Sequence, residues 1–300
     1  MSVTEFVELA DGRRFGLACY GAADGLPVLA LHGAPASRIM FDVTDAPAKD
    51  LGLRLLCPER PGYGVTPGDK GATLETRAAD LEAIADRLGL TRFSVLGVSG
   101  GGPYAVALAE RLQSRVAGLA LVSPMGPIAQ FMAAKREGTL GAHHGYVPRA
   151  QRLFFLELPK RRRLLALQAG LGARAFKAAP NSFAKIFARL LSRSDGRVLS
   201  QPHVEKSLVA MTVEALRQGV RGGMADLAIF SKPWPVDFQR VTAPAVMWQG
   251  TADRIVPVPV SAWLAELLPN CRYIELEGAG HFWVYDHVGE VLKGLSQLSR

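Results

Sequence analysis

The chain has 300 residues, of which 49% are hydrophobic and 21% charged, and a formal net charge of +8. This exceeds one small domain, excludes disorder and collagen-like structure, and leaves enough apolar residues for a sizeable core. No apolar run approaches the roughly 18–20 residues of a membrane span, and residues 1–14, with Glu5, Glu8 and Asp11, lack the apolar stretch of an export signal.

In chain order, Thr4–Leu9 and Arg14–Tyr20 read as a β-hairpin turning at Asp11-Gly12. Val28–Leu31, Leu53–Cys57, Phe93–Leu96 and Val116–Val122 are continuous apolar runs, the habit of parallel strands buried on both faces. Between them lie helical patterns. Leu74, Ala78, Leu81, Ala85 and Leu88 form one apolar stripe, with Thr73 at the N-cap position and Gly89 closing the helix. Thr76 stands where a capping box favours Glu or Gln, which weakens that pattern. A second short helix is predicted over Pro103–Leu112.

The strand-helix rhythm stops at Pro124. Residues 125–232 read as several helices rich in Arg, Ala, Leu and Phe. The rhythm resumes with a strand at Ala245–Trp248, a helix at Val258–Leu268, a strand at Cys271–Leu276 and a last helix at Trp283–Leu298. The expected divisions are a first core part at 1–124, a helical insert at 125–232 and a second core part at 233–300. Charge follows the same division. Residues 124–232 hold 18 Lys/Arg and 6 Asp/Glu, a net of +12, which leaves 17 Lys/Arg and 21 Asp/Glu elsewhere, a net of −4. A basic surface can bind nucleic acid, but this chain shows neither a nucleic-acid motif nor interleaved aromatics, so no nucleic-acid partner is expected. Cys19, Cys57 and Cys271 have no metal-ligand spacing, and Cys57 and Cys271, in apolar strand-like settings, read as reduced core thiols, which fits a cytoplasmic location.

The chemistry concentrates in Gly97-Val98-Ser99-Gly100-Gly101, a Gly-x-Ser-x-Gly pattern between a predicted strand and a predicted helix. Alone, this pattern also describes an ordinary glycine-rich turn. In this position the sharp turn would lift Ser99 clear of the sheet and aim free N–H groups at whatever it attacks. A serine hydroxyl needs a base, and the base needs a carboxylate behind it. Asp253 follows the strand at Ala245–Trp248, and His281 lies on the loop after the last strand. All three stand beyond strand C-termini, where sites form in α/β sheets. The N–H groups of Gly100 and Ala34 are the candidate oxyanion-hole donors. His32 reads as structural. His143 and His144 are adjacent and so expected to point apart, which disfavours a metal site there. His203 and His287 read as surface residues.

With these segments in hand, the chain is identified as a member of the α/β-hydrolase superfamily. The resemblance rests on His32-Gly33-Ala34-Pro35, Glu59-Arg60-Pro61-Gly62-Tyr63-Gly64, the Gly97–Gly101 elbow, Gly250-Thr251-Ala252-Asp253 and Gly278-Ala279-Gly280-His281. Glu59 replaces the Asp of many relatives. The resemblance implies a mostly parallel eight-stranded sheet flanked by helices, with a helical cap inserted after the sixth strand. It also implies a Ser99–His281–Asp253 triad that needs no metal and no cofactor.

Ser99 argues for attack on an acyl carbon, since epoxide hydrolases and haloalkane dehalogenases of the superfamily carry Asp at that position. Hydrolysis of a small-molecule carboxylic ester through an acyl-enzyme is the expected reaction. A proline-iminopeptidase-like peptidase, a lactonase, a thioesterase or a carbon–carbon bond hydrolase remain alternatives, as does a receptor or lyase on the same scaffold. Met125 and Trp283 are the candidate substrate-lining residues. The motifs leave the acyl substrate and the oligomeric state open.

Overall fold

The computed structural model describes residues 4–298. Eight strands form one sheet in the order β1-β2-β4-β3-β5-β6-β7-β8. They are β1 (Glu5–Glu8), β2 (Arg14–Gly21), β3 (Leu26–Leu31), β4 (Leu53–Pro58), β5 (Phe93–Val98), β6 (Val116–Val122), β7 (Ala245–Gly250) and β8 (Cys271–Leu276). The pairs β1–β2 and β2–β4 are antiparallel, and all the others are parallel. Every residue of β5, β6 and β7 is buried, which is why these strands read as unbroken apolar runs rather than as alternation.

Helices cover both faces. On one face lie α2 (Leu74–Arg87), α3 (Gly102–Leu112) and α11 (Val258–Leu267), whose apolar residues join Leu29, Val95, Leu119 and Met247 of the sheet in the larger core. On the other, α1 (Asp45–Asp50) and α12 (Val288–Leu298) pack on Val28, Ala30, Leu96, Val122 and Trp248. The alternation of neighbouring residues between two cores, Val28 to one and Leu29 to the other, is the period-two geometry of a strand.

Two local expectations are corrected. Thr76 does complete a capping box, because its hydroxyl accepts from Thr73 N–H at 2.9 Å while Thr73 Oγ1 accepts from Thr76 N–H at 3.2 Å. The last helix is split at His287, with a 3₁₀ turn at Trp283–Asp286 before α12. The segment between β3 and β4 holds a 3₁₀ turn at Arg38–Thr44 and then α1.

Between β6 and β7 the chain runs through α4 (Ile128–Glu137), α5 (Arg149–Arg152), α6 (Arg162–Ala178), α7 (Pro180–Leu190), α8 (Arg193–Leu199), α9 (Pro202–Ala215) and α10 (Arg221–Phe230). A small core of Ala188, Val198, Leu199, Val204, Leu208 and Met211 seats this insert on Ala36, beside the loop that follows β3. No helix among the described residues is long and apolar enough to cross a membrane.

Candidate active site

Four parallel strands deliver the candidate residues to one edge of the sheet. β3 ends before His32-Gly33-Ala34, β5 before Ser99, β7 before Asp253 and β8 before His281. Ser99 has φ of +52°, a left-handed conformation that is uncommon for a residue with a side chain. Glycines make the turn possible. A Cβ at Gly101 would lie 2.1 Å from the Leu31 carbonyl oxygen, and one at Gly97 2.7 Å from Ala105 Cβ. The chain then enters a 3₁₀ turn and α3, so the N–H groups after Ser99 are those of a helix start.

Ser99 Oγ lies 3.0 Å from His281 Nε2, and His281 Nδ1 lies 2.7 Å from Asp253 Oδ2. All three residues are buried. Asp253 is firmly held: Oδ1 accepts from Ile255 N–H at 2.8 Å and Val256 N–H at 3.1 Å, and Oδ2 accepts from Gln249 Nε2 at 3.0 Å. An ionised carboxylate here keeps the proton on Nδ1 and leaves Nε2 free to accept from serine. Burial disfavours the His281 imidazolium. The charge and hydrogen bond of Asp253, with a further contribution from Asp195, outweigh it and raise the pKa above that of an ordinary histidine.

The loop after β3 lies over Ser99. A Cβ on Gly33 would be 3.5 Å from Ser99 Cβ, and one on Gly100 would be 3.1 Å from the Ala34 nitrogen. Arg60 holds this loop from behind, donating to the carbonyls of His32 and Gly33, the latter at 2.6 Å. His32 Nδ1 also meets the Gly33 oxygen at 2.9 Å, while its Nε2 accepts from Arg60 N–H at 3.1 Å. Burial pushes the His32 pKa well down, so this ring is neutral scaffold. The Gly33 carbonyl and the Ala34 N–H share one planar peptide and point oppositely. Fixing the carbonyl therefore fixes the direction of the N–H.

The insert reaches this machinery through inward-facing acids. Asp226 on α10 pairs with Arg60 at 2.9 Å and accepts from the hydroxyls of Tyr63 at 2.7 Å and Tyr104 at 2.6 Å. Glu214 on α9 pairs with Arg38 at 2.7 Å, which also binds Glu59. Motif reading picked out none of Gln249, Asp226 or Glu214 and gave Arg60 no role of its own. The available signal was acid placement: an insert poor in acids that still carries a few invites the question of what they face.

The remaining candidates fall differently. Met125 is buried next to the elbow, its N–H donating to the Ser99 carbonyl at 2.9 Å. Trp283 has the contacts of a core residue: it packs in the layer beneath α12, and its indole N–H donates to Ser123 Oγ at 3.1 Å. His143 and His144 do not point apart. Their ring centroids are 4.0 Å apart with the planes tilted by 40°, and both face Glu266, at 4.0 and 3.5 Å, the one group of three possible metal donors among the described residues. A 3₁₀ turn at residues 142–144 brings the neighbouring side chains to one side. His203 is exposed, and His287 sits beside Glu290 at 3.0 Å.

The sequence pattern of the alpha/beta hydrolase fold family matches residues 27–288. The chain belongs to the alpha/beta hydrolase fold family. As a member, it is an α/β-fold hydrolase. It is similar to a non-heme chloroperoxidase of Streptomyces lividans, 26% identical with 94% of each chain covered. It is also similar to a 2-hydroxymuconate semialdehyde hydrolase of Pseudomonas putida, 27% identical over 93% of this chain and 88% of that one. Among solved structures, an alpha/beta hydrolase fold protein from Nakamurella multipartita matches with a TM-score of 0.69 and 25% identity, covering 99% of this chain and 98% of that chain.

Proposed function

We propose that this α/β-fold hydrolase cleaves a small-molecule carboxylic ester through an acyl-enzyme on Ser99, with residues 125–232 as the cap over its site. The observation that carries this reading is the relay of 3.0 Å from Ser99 Oγ to His281 Nε2 and 2.7 Å from His281 Nδ1 to Asp253. In the first half-reaction Ser99 Oγ attacks the ester carbonyl carbon while its proton passes to His281 Nε2. Asp253 stabilises the imidazolium without taking the proton. The carbonyl oxygen becomes an oxyanion, for which the N–H groups of Gly100 and Ala34 are the donors. The intermediate collapses, the ester C–O bond breaks, and His281 returns its proton to the leaving alcohol. In the second half-reaction water attacks the acyl carbon, His281 takes a proton from it, and the acid leaves as Ser99 is re-protonated.

The names of the relatives, a chloroperoxidase and a 2-hydroxymuconate semialdehyde hydrolase, differ in chemistry. The acyl group is therefore left to a direct screen of esters and lactones. A fluorophosphonate probe should label the protein once, on the peptide containing Ser99, and abolish turnover of the best ester in proportion. Full turnover in the labelled protein would reject the reading, as would labelling of S99A.

A further inference from the structure

The relay leaves one buried carboxylate beside the base without a role. Asp195, on α8 of the cap, is fully buried. Its Oδ2 accepts from Ser192 Oγ at 2.7 Å, and its own N–H donates to that hydroxyl at 3.1 Å, which closes the start of α8. Its Oδ1 crosses to the core and accepts the Phe282 N–H at 2.7 Å. On the other side of His281, a Cβ on Gly280 would fall 2.2 Å from the Asp195 carboxylate. The carboxylate thus bears on the backbone both before and after His281. The other end of the 281–282 peptide is also approached, by Ser123 Oγ at 3.5 Å from the His281 carbonyl.

A buried carboxylate is costly unless it is paired or strongly hydrogen-bonded. The other two inward-facing acids of the insert have arginine partners, the half-buried Glu214 with Arg38 and the buried Asp226 with Arg60. Among the described residues Asp195 pairs with no Lys or Arg, and capping α8 could be served by a neutral side chain. The positive charge that arises beside it is the His281 imidazolium.

We propose that Asp195 is a positioning residue for the base: the cap carboxylate fixes the Gly280–Phe282 backbone that carries His281 and stabilises the imidazolium formed when Ser99 gives up its proton. This rests on the reading of His281 as the base. The other groups facing that ring are Asp253 from the β7–α11 loop, Ser99 from the elbow and the Phe282 ring at 5.2 Å. Arg193 on α8 and Arg254 line the outer cleft beside Asp253, and Tyr285 stacks on Phe282 at 6.3 Å. Both arginines work against the imidazolium, so the effect of Asp195 is measured with them in place.

Asp195→Asn keeps the size of the side chain and an oxygen for the Phe282 N–H while removing the charge. Its expected effect is a fall in kcat of about tenfold with KM for a neutral ester unchanged, and an acidic limb of the pH–rate profile shifted down by about half a unit or more. Ser192→Ala removes the α8 cap and one hydrogen bond to the carboxylate but leaves its charge and its bond to Phe282 N–H in place, and should lower Tm while moving that limb much less than D195N does. A D195N enzyme with lowered Tm but unaltered kcat and limb would make Asp195 a structural cap and overturn the proposal. If D195N does not fold, carboxyl carbon NMR of the wild-type protein decides: Asp195 must be ionised across the active pH range, and a protonated Asp195 there overturns the proposal. Turnover retained by H281A would instead remove the base reading on which the proposal rests.

Discussion

Ser99 and His281 show how much a single residue owes to its neighbours. The strained φ of Ser99 is tolerated because glycines two positions away on each side leave room for the turn. That requirement is legible in the sequence as Gly-x-Ser-x-Gly between an apolar run and a helix. The electrostatics of His281 are less legible. Sequence order pairs it with Asp253, but nothing in the local sequence reveals the second carboxylate, Asp195, or the burial that opposes them. The sum raises the His281 pKa. Because the base must be neutral to take the serine proton, a raised pKa moves the acidic limb upward. Activity should therefore rise with pH through one ionisation lying above the ordinary imidazole value of about 6.5. A kcat/KM profile over pH 5–9 checks this, and a limb below that value would contradict the charge balance described. Removing metal with a chelator should leave the profile unchanged, since no step uses an ion.

At the scale of elements, the buried strands were the most legible features. Continuous apolar runs such as Val116–Val122 have few other uses, and the parallel ladders follow. The 3₁₀ turn at Arg38–Thr44 escaped because its residues carry no clear period. It is fixed by tertiary contacts, with Arg38 bound to Glu59 and Glu214. The contact between α10 and Arg60, just after β4, was equally hidden, since Asp226 and Arg60 are 166 residues apart. It is a buried pair with two tyrosine hydroxyls on the acid and two backbone carbonyls on the cation. Asp226→Asn would leave Arg60 buried without its counter-charge, which costs about 3–5 kcal/mol. Urea melts should show that loss of stability. In a variant that still folds, kcat should fall more than KM rises, because the Ala34 N–H is aimed by the peptide that Arg60 holds. Unchanged kcat would mean that the loop keeps its aim without the pair.

For the molecule as a whole, the uneven charge acquires a structural meaning. Three of the six acids in the basic segment, Asp195, Glu214 and Asp226, turn inward to the core. They tie the cap to the base, to Arg38 and to the loop over Ser99. The outer surface of the cap is left more positive than its net charge of +12 suggests. A positive surface near the site should raise the association rate of anionic substrates, and salt should weaken that gain. The expected result is that kcat/KM for a carboxylate-bearing ester falls with added salt, while that of its neutral analogue changes little. Equal salt dependence for both would leave the cap charge as solvated surface.

The central claim is that the ester's acyl group is carried on Ser99 between the two half-reactions. It is tested most directly by quenching the wild-type protein in acid during steady turnover and weighing its peptides. The account predicts a fraction of the protein heavier by the mass of the acyl group, on the peptide containing Ser99, and none in S99A, whose kcat should be lower by several orders of magnitude. Turnover by a folded S99A protein at near wild-type rate, or an acyl group carried on another residue, would contradict it.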